Sequence, residues 1–392
     1  MTKKNSRVYF INATLSGNAH EIIDSSELII FSKIFPQVHA YFQKSRCKAI
    51  QNTVEKFDSS IDVKFHGLFD LGKRSALNDL KAALVEIFLL LRLKKKNNLF
   101  VFSYINMFSC HILNFISKIT RKKIIICCHN ELEIVAERKP KMFNYWRWLV
   151  YRFYTKTNLA NNVYLLVLGE NIREKYAEYI DQDKLDKVIS VEHPYFSASQ
   201  DHVDLRYPKN KKIKIGVIGS VSKNKERGFE NILHLANSLI KFPDVEIDII
   251  SKIDVDLVDK LPPNVCVVGS PGFFLPRNEY DAYVGQLDYI YSPYPMDSFV
   301  FTASGALLES LFKNKVLLMH ANAYVKHLMS LFGTFGLLID GMNSEEIYSF
   351  LKNKNHDNYL TILQDMTEKL NPEQMVPMYR MSIAECLDGK KE

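Results

Sequence analysis

Two groups of residues in this 392-residue chain have the types and spacing that chemistry needs. His129, with Glu131 and Glu133 close behind it, follows an apolar run that reads as a buried strand. An imidazole and carboxylates at the end of a strand are the groups that take or give a proton in a reaction. His129 is the leading catalytic candidate and Glu131 the candidate base, although a structural histidine beside solvated acids fits the same residues. Gly17, Asn18 and His20 follow the first apolar run and are read as lining a ligand. Gly17 would let the backbone approach closely, and a plain strand-to-helix turn fits about as well.

The second group suits a phosphate-bearing ligand. An apolar run ends in Gly216-Val217-Ile218-Gly219-Ser220, and a polar, basic loop with Lys225 and Arg227 follows before Gly228. Gly219 and Ser220 would shape the turn and the two cations would meet a diphosphate; a solvated turn with exposed cations is the alternative. Further on, a Pro-rich loop with Tyr294 and Asp297 leads into Ser304-Gly305-Ala306-Leu307-Leu308-Glu309. Small residues at a helix start leave backbone N–H groups open to an anion. Glu309 would sit one turn further on, where it could accept from ribose hydroxyls; a capped helix with an ordinary exposed Glu is the alternative. The spacing is not GxGxxG, which counts against a dinucleotide-binding oxidoreductase. Asp254-Val255-Asp256 reads as a surface connection, so no metal site is expected.

The elements that must position these residues alternate short apolar runs with longer amphipathic stretches, the pattern of βαβ units around a parallel sheet. Strands are expected over residues 7–12, 63–67, 99–103, 123–129, 163–168 and 188–192. Helices are expected over 20–34, 76–95, 108–120, 143–154 and 171–179. A polar, proline-containing stretch near residues 197–210 has no apolar period and reads as a linker. The alternation then restarts with strands at 213–219, 245–250, 265–268, 289–292 and 316–320, and helices at 229–240, 277–286 and 303–312. The prediction is two domains, residues 1–200 and 201–392, with the last helix able to pack back on the first. Such sheets bind ligands beyond the carboxyl ends of their strands.

Composition sets the setting. Hydrophobic residues make up 47% of the chain, enough for a core in each half. The formal charge of +7 is uneven: residues 1–200 hold 30 Lys/Arg against 19 Asp/Glu, and residues 201–392 hold 21 against 25. A basic first half points to an anionic partner. No zinc-finger spacing, RNP-type motif or helix-turn-helix supports nucleic acid. Both tryptophans lie in residues 138–154, interleaved with five cations, and an apolar run at 88–91 precedes three lysines. Aromatic and basic side chains together suit an anionic membrane surface, while two ordinary core-packing helices are the alternative. No apolar run is long enough to span a bilayer or serve as a signal-peptide core. Six unpatterned cysteines fit reduced thiols in a cytoplasmic setting, with a peripheral position on the inner face of the membrane.

On these segments the sequence resembles the GT-B glycosyltransferases, in particular the large retaining family of glycan-assembly transferases. Residues 215–219 through Lys225 and Gly228 resemble its strand–loop–helix with a "G-R-…-K-G" signature. Residues 304–310, followed by 313–320, resemble its "G-…-L-L-E-A-…-G-K-P-V-I" segment, and residues 124–131 its strand ending in a His-containing loop. Residues 163–170 are similar to the strand before the crossover. Ser220 replaces the usual Arg, and Phe301 stands where the first acid of an E-x7-E pair belongs. The resemblance implies an α/β GT-B fold, two Rossmann-like doubly wound domains facing a central cleft. The first would bind a glycan or lipid-linked acceptor for cell-surface polysaccharide; the second would bind a nucleotide-sugar donor. No separate cofactor and no metal would be needed, and retention is the favoured stereochemical outcome. A catalytically silent subunit and a nucleotide-sugar epimerase are the rival readings.

Overall fold

The computed structural model describes residues 6–17, 20–72, 75–94, 98–136, 145–197, 212–223, 228–250, 252–353 and 355–388. The chain divides into two compact units. Unit 1 comprises Met1–Ala198, Phe301–Ala303 and Lys369–Glu392; unit 2 comprises Ser199–Val300 and Ser304–Glu368.

Unit 1 holds the strands β1 (Arg7–Asn12), β2 (Gln37–Gln43), β3 (Val63–Leu68), β4 (Leu99–Phe102), β5 (Lys123–Cys127), β6 (Val163–Leu168) and β7 (Val188–Val191). Its helices are α1 (Glu21–Ile34), α2 (Lys44–Phe57), α3 (Ala76–Arg92), α4 (Cys110–Thr120), α5 (Tyr145–Thr155), α6 (Glu170–Ala177) and α7 (Gln182–Leu185). The strands form one parallel sheet in the order β3-β2-β1-β4-β5-β6-β7. All four residues of β4 are buried, as a strand covered by helices on both faces requires.

Unit 2 repeats the plan with β8 (Ile213–Val217), β9 (Val245–Ile249), β10 (Val265–Val267), β11 (Tyr289–Ser292), β12 (Val316–Met319) and β13 (Gly336–Leu338). Its helices are α8 (Phe229–Leu239), α9 (Arg277–Gly285), α10 (Gly305–Leu311), α11 (Ala323–Phe332), α12 (Ser344–Lys352) and α13 (Asp357–Lys369). The order is β10-β9-β8-β11-β12-β13, again all parallel. In both sheets the winding reverses between the first and fourth strand, and ligands of doubly wound sheets lie at that switch.

The chain closes with α14 (Pro372–Asp388), which packs along α1 in unit 1. Tyr379 is buried there, its ring edge-on to Phe31 at 6.3 Å.

Several elements lie outside the sequence expectation. β2 and α2 fall where none was expected. β2 alternates buried with half-buried positions, and its His39 and Tyr41 join Tyr9 and His66 in an aromatic cluster over that face. Polar rings on alternate positions hide a strand from a search for apolar runs. The expected helix at 303–312 starts at Gly305, because the Ser304 hydroxyl accepts from the Leu307 N–H at 3.2 Å and caps it.

Candidate functional site

Each sheet presents its own carboxyl edge, and the candidate residues fall on both. At the end of β5 in unit 1, His129 is buried and its Nε2–H donates to the Ser103 carbonyl at 2.8 Å. A carbonyl only accepts, so this bond fixes the tautomer and leaves Nδ1 with the lone pair. The His20 ring stands edge-on to His129 at 4.6 Å between centroids. Burial pulls His129 down to about 4, and burial with the charge of Arg46 does the same to His20. Both rings are therefore neutral at pH 7.

His20 is placed by the backbone: it precedes α1 in the left-handed region at φ 60, and its carbonyl accepts from the Asp24 N–H at 3.0 Å. Its Nδ1 is buried and meets no hydrogen-bond partner among the described residues. Gly17 also lies at positive φ, and its carbonyl accepts from Arg46 at 2.8 Å. Asn18 lies outside the described residues.

Glu131 belongs to a single 3-10 turn, Asn130–Val135. Its Oε1 accepts from the His129 backbone N–H at 3.0 Å and from the Tyr154 hydroxyl at 3.3 Å, bracing its own loop. Its Oε2 is buried without a donor among the described residues. Glu133 accepts from the Phe301 backbone N–H at 2.9 Å, and the buried Phe301 ring stands edge-on to Tyr179.

Beneath these residues lies a polar network that a motif search does not find. Asn12, the last residue of β1, donates from Nδ2 to Asp24 at 3.2 Å and to the Ser103 hydroxyl at 3.1 Å. Arg46 forms a buried ion pair with Asp24. Asp24, Arg46 and Asn12 come from three separate elements, and their sequence signal is only that a polar residue interrupts an apolar pattern. Glu27, also fully buried on α1, is pushed up to about 8 by burial and by the Asp24 charge.

Unit 2 builds its edge from close approach. Gly219 follows β8 at φ +89, and a Cβ there would stand 2.7 Å from the Tyr294 hydroxyl and 3.1 Å from Ala306 Cβ. Three segments distant in sequence thus meet at the β8–β11 switch. Gly228, at φ +73, starts α8; a Cβ would lie 2.4 Å from the Pro293 carbonyl oxygen, to which Asn231 donates at 2.8 Å. Gly305 differs, since a Cβ there would meet nothing within 4 Å. Ser220 is half-buried beside Gly219. Asp297 is exposed in the turn where Ser298 N–H bonds the Pro295 carbonyl, with Phe299 at φ 55 and its ring edge-on to Tyr294.

Glu309 pairs with Arg277 at 3.1 Å, and Arg277 in turn pairs with Asp281 at 3.0 Å. Sequence reading did not find Arg277 as its partner. Lys225 and Arg227 lie outside the described residues. Beyond β12, His320 accepts from or donates to the Tyr291 hydroxyl at 2.8 Å and meets Asp340 at 2.6 Å, which braces the ends of three strands.

The aspartates of the Asp254–Asp256 segment both engage Lys223, through its backbone N–H and its ammonium. Among the described residues, Glu246, Asp248 and Cys266 bring ligand-type atoms together, but Asp248 is already paired with Lys214 at 3.0 Å. Cys47, Cys110, Cys127 and Cys128 are buried free thiols. No described helix is long and apolar enough to cross a membrane.

Solved structures share the two-domain GT-B architecture. A glycosyltransferase from Rickettsia africae ESF-5 is 12% identical with a TM-score of 0.56, over 98% of this chain and 99% of that one. The N-terminal domain of the Candida albicans trehalose-6-phosphate phosphatase scores 0.62 at 9% identity, over 100% and 98%. A UDP-N-acetylglucosamine 2-epimerase, so described, from Listeria monocytogenes scores 0.52 at 11% identity, over 98% and 96%. No family model and no curated protein matches the sequence. At these identities the likeness establishes the fold: two Rossmann-like α/β domains of the GT-B type.

Proposed function

We propose that the chain is a glycosyltransferase that holds a nucleotide-sugar donor at the carboxyl edge of unit 2. The observation that carries this reading is the open space at Gly305, beside the β8–β11 switch where Gly219, Tyr294 and Ala306 pack together. Open backbone at Gly305 suits a diphosphate, which binds through N–H groups at short range. Lys225 and Arg227 would add charge to the leaving group as it departs. The acceptor, a glycan hydroxyl on a lipid-linked chain bound for cell-surface polysaccharide, would be bound by unit 1 through Gly17, Asn18 and His20. Its oxygen would bond the sugar's anomeric carbon as the bond to the diphosphate breaks, and the hydroxyl proton would leave with the diphosphate or a base. His129 would be the catalytic group that unit 1 contributes, with retention as the expected outcome and no metal needed.

A second reading is a GT-B subunit that binds a partner and transfers nothing. It is favoured by two observations: Glu309 is held by Arg277, and the Ser304 hydroxyl is spent on its own helix. A thermal-shift panel of UDP-, GDP-, dTDP- and CMP-sugars separates the two. One donor class at about a hundredfold excess over its Kd should stabilise the fold by about 2.7 kcal/mol. A flat panel would leave only the silent-subunit reading.

A further inference from the structure

α3 carries apolar side chains on both its buried and its exposed face. Its two acids face inward: Asp79 and Glu86 are buried, and Glu86 accepts from the hydroxyls of Thr14, at 3.0 Å, and Ser109. Ala82, Ala83, Leu89 and Leu90 share that inward face, and five large apolar side chains face outward. Leu77, Leu80, Leu84, Phe88 and Leu91 are all exposed, and their spacing of three or four residues places them on one stripe. α4 lies beside α3 and repeats the arrangement with Ile112, Phe115 and Ile119, of which Phe115 is 62% and Ile119 65% exposed. A core-packing pair of helices would bury these stripes, and contiguous apolar surface of this extent marks an interaction face.

Charge identifies the occupant. α4 and α5 contain no acidic residue, so none of the three helices turns a carboxylate outward. Lys81, Arg92, Lys118, Arg121, Arg147 and Arg152 are exposed on or beside them. Two of these cations lie over aromatic rings: Arg92 on Phe88 at 5.6 Å and Arg152 on Trp148 at 4.8 Å. Outward leucine and phenylalanine on helices whose exposed charges are all cationic is the chemistry of a face lying in the headgroup region of an anionic bilayer. We infer that the α3–α4 face docks unit 1 on an anionic lipid surface, with α5 at its rim. This places the apolar contact on the outward stripes of α3 and α4, whereas the sequence points to the basic aromatic segment 138–154 and to the run 88–91, of which Leu89 and Leu90 are buried. Residues 138–144 of the aromatic segment lie outside the described residues.

The inference stands apart from sugar transfer: vesicle binding can persist with a flat donor panel, and donor binding can persist without vesicles. The test is co-sedimentation of the full chain with phosphatidylcholine vesicles, with and without phosphatidylglycerol. The chain should pellet only with the anionic vesicles and be released by salt. Leu84→Asp with Phe88→Asp should weaken binding by roughly a hundredfold or more. Lys81→Glu with Lys118→Glu should weaken it by roughly tenfold. Phe273→Ser with Phe274→Ser, exposed rings of unit 2, should leave it unchanged. Circular dichroism and melting checks each variant, with Phe115→Ser and Ile119→Ser as the replacement pair for one that unfolds. A chain that stays in the supernatant with anionic vesicles at low salt overturns the inference, as does binding indifferent to the α3 substitutions. A dimer on size exclusion with light scattering, dissolved by the same substitutions, would mean that a second copy covers the face, and would overturn it too.

Discussion

The carboxyl edges of the two sheets share a strand order and differ in what fills the switch. In unit 1 the space holds buried polar groups that fix one another: Asn12, Asp24, Arg46 and Ser103 beneath His20 and His129. In unit 2 it holds glycines, a tyrosine hydroxyl and an alanine at close approach, with the charged pair Glu309–Arg277 towards solvent. The same topology serves two purposes. A preorganised polar floor keeps neutral imidazoles in place in unit 1, whereas unit 2 packs Gly219 closely and leaves the space beside Gly305 open.

Arg46→Ala should show the difference most strongly. It leaves Asp24 buried without its counter-charge, and about 3–5 kcal/mol of stability should be lost in urea unfolding. A loss under about 1 kcal/mol would mean that the unit 1 network is not what holds its edge. In unit 2 the largest effect should come from Gly228→Ala, where positive φ and the Pro293 carbonyl both oppose a Cβ. About 2 kcal/mol is expected, read from the same melts.

The larger pH response should belong to unit 1, although in unit 2 burial lowers His356 and brings Lys315 down to about 8. Burial holds His20, His129 and His193 near 4, below the ordinary 6.5. The unfolded chain takes up those protons first, so their contribution is intact above pH 6.5 and is lost as pH falls towards 4. Glu27 and Glu86 run the other way. Burial raises them to about 8 and about 7, so their contribution is intact below pH 4.5 and is lost as pH rises through those values. Glu27→Gln removes one of these ionisations. Its unfolding free energy should gain on the parent's from pH 4.5 upward, with a gap exceeding about 1 kcal/mol at pH 8. A constant gap across that range would remove Glu27 from the account.

The smallest effect should be that of Arg277→Ala. Arg277 is half-exposed, and such pairs contribute about 0–1 kcal/mol. Destabilisation beyond that would make the unit 2 edge a structural network like that of unit 1, and would blunt the contrast.

How much of this was legible in the sequence follows from the same contrast. Apolar runs such as residues 163–168 and 289–292 announce buried parallel strands and so point to their carboxyl ends, but the switch in each sheet shows only in the strand order. Gly219 and Gly305 stood out because glycine at a strand end or helix start has few other uses. β2 was missed because its His39 and Tyr41 interrupt the apolar signal, and three-residue β13 is too short to show a period. The unit 1 network was missed for a different reason. Asn12, Asp24 and Arg46 are ordinary polar residues until the sheet brings three elements together. The partnership of Glu309 with Arg277, 32 positions away, likewise depends on the folded path of α9 and α10.

The central claim is that a nucleotide-sugar meets the backbone of unit 2 at Gly305, and calorimetry on the parent and on Gly305→Ala tests it most directly. The added methyl meets nothing within 4 Å and replaces a helical glycine, so the variant should be as stable as the parent or more stable by up to about 1 kcal/mol. If a diphosphate lies against that backbone, one class of nucleotide-sugar should bind the parent and bind the variant roughly tenfold or more weakly, since about 1.4 kcal/mol of lost contact is a tenfold change. Equal affinity for parent and variant would contradict the account, as would a parent that binds no nucleotide-sugar.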